Sequence, residues 1–108
     1  STFGTHTLQT INWGAITVPG FNSLLDANSG PQSIDSTLGI VTLTLPAASV
    51  ANNRIYPIRW GVGPNNAIIA ADVGDVNGIN GSATYTFSRV GDTVFLVPNP
   101  TADGWWIW

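Results

Sequence analysis

The chain has 108 residues and a net charge of −3, with three Arg and no Lys, six acidic side chains that are all Asp, and neither Cys nor Met. Three cations cannot assemble the basic patch that a phosphate backbone requires, so nucleic acid is not an expected partner. Without Cys there are no disulfides, thiolate nucleophiles or soft metal sites, and no apolar run approaches the ~18 residues of a membrane-spanning helix.

Charged residues make up only 8% of the chain, while 44% are apolar and five are Trp. A soluble protein normally relies on charge to stay dispersed. Two kinds of cover remain for so much apolar surface: neutral polar groups, abundant here as Asn, Thr and Ser, or burial against copies of the same chain. Nothing reads as a signal peptide. A chain that starts at Ser1 without Met reads as a piece of something longer.

In chain order, the first ten residues are polar and read as a tail or connector. Residues 10–18 form the first strand candidate. The stretch from Phe21 to Ala27 carries the one helical signal, a turn or two capped by Asn22 or Ser23. Six further β-branched and aromatic runs predict strands at 38–45, 54–60, 67–71, 83–89, 93–97 and 105–108. Seven short strands at this spacing predict an all-β, antiparallel, jelly-roll-like sandwich.

Two runs alternate cleanly. Val41, Leu43 and Leu45 share one face with Thr42 and Thr44 on the other, and Tyr85 and Phe87 oppose Thr84, Thr86 and Ser88. The segments at 67–71 and 105–108 are apolar on both faces, which implies cover on both sides. Ile68, Ile69, Trp105, Trp106 and Trp108 are therefore expected in the core or in an interface between subunits. Turns are marked by Pro46, by Gly63-Pro64-Asn65-Asn66, by the hairpin dipeptides Asn77-Gly78 and Asn80-Gly81, and by the stretch from Pro98 to Gly104.

Catalytic signatures are missing. His6 is the sole imidazole, with no triad around it, and there is no G-x-S-x-G elbow. Gly61-Val62-Gly63 lacks the third glycine of a dinucleotide fingerprint, with Asn66 in its place. Asp72 and Asp75 have the spacing for paired carboxylates or a hard-cation loop. Nothing orients them for hydrolysis, and the EF-hand pattern fails because Val73 would occupy the first ligand position. No metal site, cofactor or enzymatic activity is expected.

An indole beside amides is the usual platform for a sugar ring, because the ring face takes the apolar side of a pyranose while the amides bond its hydroxyls. On that chemistry Trp60 is the candidate for stacking. Asn65, Asn66, Asp75 and Asn77, in the loops at 61–66 and 72–82, are the candidates for hydrogen bonding.

From about Phe21 to the C-terminus the order of features resembles the C-terminal β-rich modules of tailed-phage fibres, tail needles and related viral receptor-binding proteins. The resemblance is carried by Ser23-Leu24-Leu25-Asp26-Ala27-Asn28-Ser29-Gly30, by Ile40-Val41-Thr42-Leu43-Thr44-Leu45-Pro46, by Arg54-Ile55-Tyr56-Pro57-Ile58-Arg59, and by the glycine turns through Asn77 to Gly81. Gly91-Asp92-Thr93-Val94-Phe95-Leu96-Val97 and the closing Asp103-Gly104-Trp105-Trp106-Ile107-Trp108 complete it. It implies a homotrimeric head or knob, exposed at the tip of a virion fibre or needle, that binds a host surface molecule, often a glycan, without cleaving it.

Two departures stand out. Pro57 interrupts a strand where such modules keep a ladder donor, which implies an edge or a bulge. Residues 1–20 have no counterpart and read as the end of a shaft or an added strand, leaving 21–108 as the head domain. The rival readings are a free-standing lectin of a secreted or cell-surface protein, and a purely structural trimerisation or capsid-decoration domain.

Overall fold

Strands form here because β-branched and aromatic side chains pack well on a pleated surface, and the pleat sends alternate residues to opposite faces. A computed structural model of the chain describes residues 15–51 and 54–108, together with the backbone of 2–3, 6–7 and 10–11. Its strands are β1 (Thr2–Phe3), β2 (His6–Thr7), β3 (Thr10–Ile11), β4 (Ser23–Leu24), β5 (Gln32–Asp35), β6 (Val41–Thr44), β7 (Arg54–Val62), β8 (Ala67–Ala70), β9 (Gly78–Ile79), β10 (Thr84–Thr86), β11 (Thr93–Pro98) and β12 (Gly104–Ile107). Among the described residues a single 3₁₀ turn, Ala48–Val50, follows β6. The helical turn expected near Phe21 is instead strand β4, followed by a turn in which the Asp26 carboxylate accepts the Asn28 amide (2.8 Å). Among the described residues no helix is long and apolar enough to cross a membrane.

The fold is all-β and sandwich-like, built on two sheets, with β1 and β2 paired separately as an antiparallel ribbon. One has four strands in the order β10-β8-β6-β4; the other has six, ordered β3-β7-β11-β12-β9 with β5 also on β7. The expected antiparallel, jelly-roll-like connectivity is corrected to mixed pairing. β4, β6 and β8 lie parallel to one another, as do β5 and β7, while β7–β11, β11–β12 and β8–β10 are antiparallel. The reason is that consecutive strands from β4 to β11 alternate between the two sheets. A parallel pair needs a crossover segment; here each crossover is a strand of the facing layer, where an α/β protein would use a helix.

The core lies between the sheets. Val41 and Leu43 from β6, and Ala67 and Ile69 from β8, meet Tyr56, Ile58 and Trp60 from β7, Val94 and Leu96 from β11 and Trp105 from β12. Thr42, Thr44, Thr84 and Thr86 face outward, as their alternation predicts. Residues 17–19 of the N-terminal segment add to the six-stranded sheet beside β5: the Thr17 amide donates to the Pro31 carbonyl (3.0 Å) and the Asp35 amide to the Pro19 carbonyl (3.0 Å).

Pro57 lies inside β7, not on an edge strand. The Trp60 amide donates to the Asp92 carbonyl and the Gly91 amide donates to the Trp60 carbonyl, so even-numbered residues of β7 bond β11 and odd-numbered ones face the opposite side. On that side β3 pairs only as far as Ile55 and β5 begins at Ile58. Proline's missing donor falls in the gap between the two neighbours, where no ladder bond is lost.

Candidate functional site

The sequence-derived ligand residues do not form one site. Trp60 is only 7% exposed, and its indole Nε1 donates to the Ser36 hydroxyl (3.1 Å) inside the core, so its ring is not a surface platform. The Asn65 amide donates to the Ser36 carbonyl (2.8 Å), holding the β7–β8 loop down. Asn66 is exposed, with its carbonyl accepting the Val41 amide (3.1 Å).

Asp75 is buried. Its Oδ2 accepts the Ala48 amide (2.9 Å) and the Trp105 indole (3.3 Å), whereas the Asp72 carboxylate turns back to the Gly74 amide (2.9 Å). The two carboxylates do not converge, and no group of three metal-ligating side chains occurs among the described residues. His6, the lone imidazole, has its side chain outside the described residues. Ile69 and Trp105 are core residues, Ile68 is half-buried on the outward side of β8, and Trp106 and Trp108 are exposed.

Asn77 does meet other chemistry of the expected kind. It lines a pocket of about 250 Å³ with Asn80, Gly81, Asn99, Trp105 and Trp106, at the edge where β9 runs parallel to β12. The local sequence builds this edge. Ile79 and Ser82 exchange both backbone bonds (2.6 and 2.9 Å) across Asn80 and Gly81, which sit at φ 50° and 89°. Positive φ at both central residues is what a two-residue type I′ hairpin requires, and Asn-Gly is its preferred pair. Gly78 and Gly104 face each other across the β9–β12 ladder, where a side chain on either would strike the other strand's backbone or its own turn.

The asparagines are held in defined orientations. Asn80 Oδ1 accepts the Ile107 amide (3.1 Å), which leaves its Nδ2 hydrogens for other partners. Asn99 opens the β11–β12 loop, donating from Nδ2 to Asp103 Oδ1 (2.9 Å) while its Oδ1 accepts from Thr101 Oγ1 (3.1 Å) and the Asp103 amide (3.2 Å). Trp106 stands beside them with 40% of its surface exposed. The sequence offered Trp60 as the platform; the structure instead places Trp106 beside Asn80 and Asn99, which the sequence did not single out for binding. The available signal was the pairing of Asn80-Gly81 with the polar stretch before Gly104.

Asp103 anchors this arrangement. The side chains of Asn77, Thr101 and Asn99 that donate to it hold its carboxyl at about 2, below the ordinary 3.8. A depressed carboxyl favours the native loop fully above its unfolded value and loses that contribution as pH falls through its folded value. The side-chain amide resonances of Asn77 and Asn99 should therefore stay constant from neutral pH down to about 4 and move with a midpoint near 2. An NMR titration with its midpoint at the ordinary value would show that these groups do not donate to Asp103.

A second surface lies on the outward face of the six-stranded sheet. Ile16, Val18, Pro57 and Phe95 line a groove of about 360 Å³ whose only charged lining residue among the described residues is Arg59. Phe95 also belongs to an adjoining apolar hollow of about 170 Å³ with Ile55, Val97 and Trp108. Ile55 and Val97 are buried although they lie outside the main core cluster, on the opposite side of the sheet. Two hollows sharing one phenyl ring make a continuous apolar strip across β7, β11 and the chain end, its solvent-exposed part supplied by Ile16, Val18 and Trp108.

Comparison of the chain with protein-family models, curated proteins and solved structures finds no match.

Proposed function

We propose that this domain is the non-enzymatic head of a viral fibre or tail needle, self-associating as a trimer and attaching the particle to a receptor on the host surface. The apolar strip on the outward face of the six-stranded sheet carries this reading. An apolar face with one charge, Arg59, is best satisfied by another apolar face, and copies carried on one stalk are the nearest source of one. A net charge of −3 sets up little repulsion between copies. The order of motifs from Phe21 to Trp108 supports the viral assignment. Three heads on one stalk raise the effective concentration of each weak site, which turns modest contacts into firm attachment.

The placement of the carboxylates supports a role in binding. Asp26, Asp35, Asp72, Asp75 and Asp103 each accept hydrogen bonds that shape a turn or the core, and Asp92 sits by Arg89. Oligomeric state tests the proposal. Sedimentation at micromolar concentration should give three times the 11.4 kDa of one chain. Val18→Asp should shift the species to a folded monomer, because Val18 is 61% exposed and its replacement leaves the core intact. A wild-type protomer that sediments alone, with its indoles open to quenchers, overturns the trimeric head and leaves a free-standing lectin as the better description.

A further inference from the structure

We infer that the pocket between β9, β12 and the β11–β12 loop binds one neutral pyranose ring, with Trp106 as the stacking surface and Asn80 and Asn99 as the hydrogen-bond donors. For its biological sense this inference rests on the attachment reading above. Three observations carry it. The Trp106 indole is partly open, and an aromatic face takes up the C–H side of a sugar at little entropic cost because it has few rotatable bonds.

The amides are preset. Asn80 has its oxygen committed to the Ile107 amide, and Asn99 has its oxygen committed to Thr101 and Asp103. Asn80 therefore has both Nδ2 hydrogens to offer and Asn99 one, its other being donated to Asp103 Oδ1 (2.9 Å), and the ligand must supply acceptors: ring and hydroxyl oxygens, or the carbonyl of an acetamido group. Groups held by their neighbours lose little freedom on binding.

Charge and size narrow the ligand class. Among the described residues no cationic side chain lines the pocket, so none of them favours a carboxylate or a phosphate. The charged groups bonded to its lining residues are carboxylates, Asp103 on Asn99 and Asp75 on Trp105. At about 250 Å³ the pocket is smaller than the range of ~300–1,000 Å³ typical of drug-sized ligands. One sugar ring fits that scale, with the rest of a chain running out over the surface.

The site borders the self-association strip without sharing a lining residue with it: Trp106 is the cross-strand partner of Val97 in the strip's second hollow, while the first groove lies on β7 and β11 beside residues 16–18.

The test uses the whole chain in a ¹H–¹⁵N NMR titration with glucose, galactose and N-acetylglucosamine, and with sialic acid as the acidic contrast. At least one neutral pyranose should shift the Trp106 indole and the Asn80 and Asn99 side-chain amides, while sialic acid leaves them in place. Trp106→Ala should weaken that binding by about tenfold or more, the loss expected from removing one stacked ring. Asn80→Asp keeps the turn and the acceptor for Ile107 but removes the donor, and it should weaken binding comparably. Sedimentation of both variants should still give the wild-type species.

Saturation by sialic acid alone, binding that neither substitution alters, or no response to any of these sugars overturns the inference. A trimer without pyranose binding leaves the head proposal standing. A monomer that binds through Trp106 does the reverse.

Discussion

Trp105→Ala is expected to cost about 3–5 kcal/mol of stability, the range for deleting a large buried aromatic side chain. Trp105 is 1% exposed and packs edge-on against Tyr56, with ring centroids 5.4 Å apart and planes at 78°. Its indole also donates to the buried Asp75 carboxylate, which otherwise holds the first amide of the 3₁₀ turn. Removing the ring opens a cavity and takes a donor from a charge with little solvent. A domain of this size has a total stability of about 5–15 kcal/mol, so the variant should lose much of its cooperative unfolding transition.

Trp105→Phe separates the two contributions. It keeps most of the packing and should cost about 1.5–3 kcal/mol, the value of a hydrogen bond to a charged group. Urea unfolding followed by circular dichroism measures both. A loss below about 1 kcal/mol for the alanine variant would show that Trp105 is not the pillar between β12 and the Asp75 loop.

Gly78→Ala should be nearly as damaging. Gly78 sits at φ 54°, where any side chain costs about 1–2 kcal/mol. An added Cβ would lie 2.7 Å from the Ser82 carbonyl carbon, and closer still to its oxygen. That contact is backbone and cannot swing away, so the hairpin at Asn80-Gly81 must shift, adding about 1–3 kcal/mol. Gly81→Ala is the matched control. It shares the positive φ (89°) but has nothing within 4 Å of the added atom, so only the backbone cost should appear. Equal losses in denaturant unfolding of the two variants would remove the clash at Ser82 as a cause. Gly78→Ala should also disturb the pocket, since Asn77 and Asn80 flank the strand it breaks.

Much of this fold is legible in the chain. Each of the seven predicted strand regions contains a strand, and the alternation in Val41–Thr44 correctly separates the core face from the threonine face. Asn80-Gly81 makes the two-residue hairpin that its composition specifies. These features depend on neighbours within a few residues, so period and turn chemistry suffice. β5 escaped notice because Gln32-Ser33-Ile34-Asp35 reads as polar. Its Gln32 is nonetheless buried, and the strand leads to Ser36, the acceptor for the Trp60 indole. β9 was hidden for a different reason: two residues between turn dipeptides look like loop until β12 lies beside them.

The sequence by itself determined an all-β chain, the face that each alternating strand turns inward and the two-residue turn at Asn80-Gly81, whereas Asn77-Gly78, expected as a hairpin, leads into β9. Only the tertiary structure decided that strands cross between layers and pair in parallel, that Trp60 and Asp75 are buried, and that Trp106 is the indole facing solvent beside asparagines. The division has a physical cause. Local propensity and period act over a few residues, but the burial of a tryptophan or a carboxylate depends on which distant segment supplies its hydrogen-bond partner. Ser36 does so for Trp60, and Ala48 and Trp105 for Asp75.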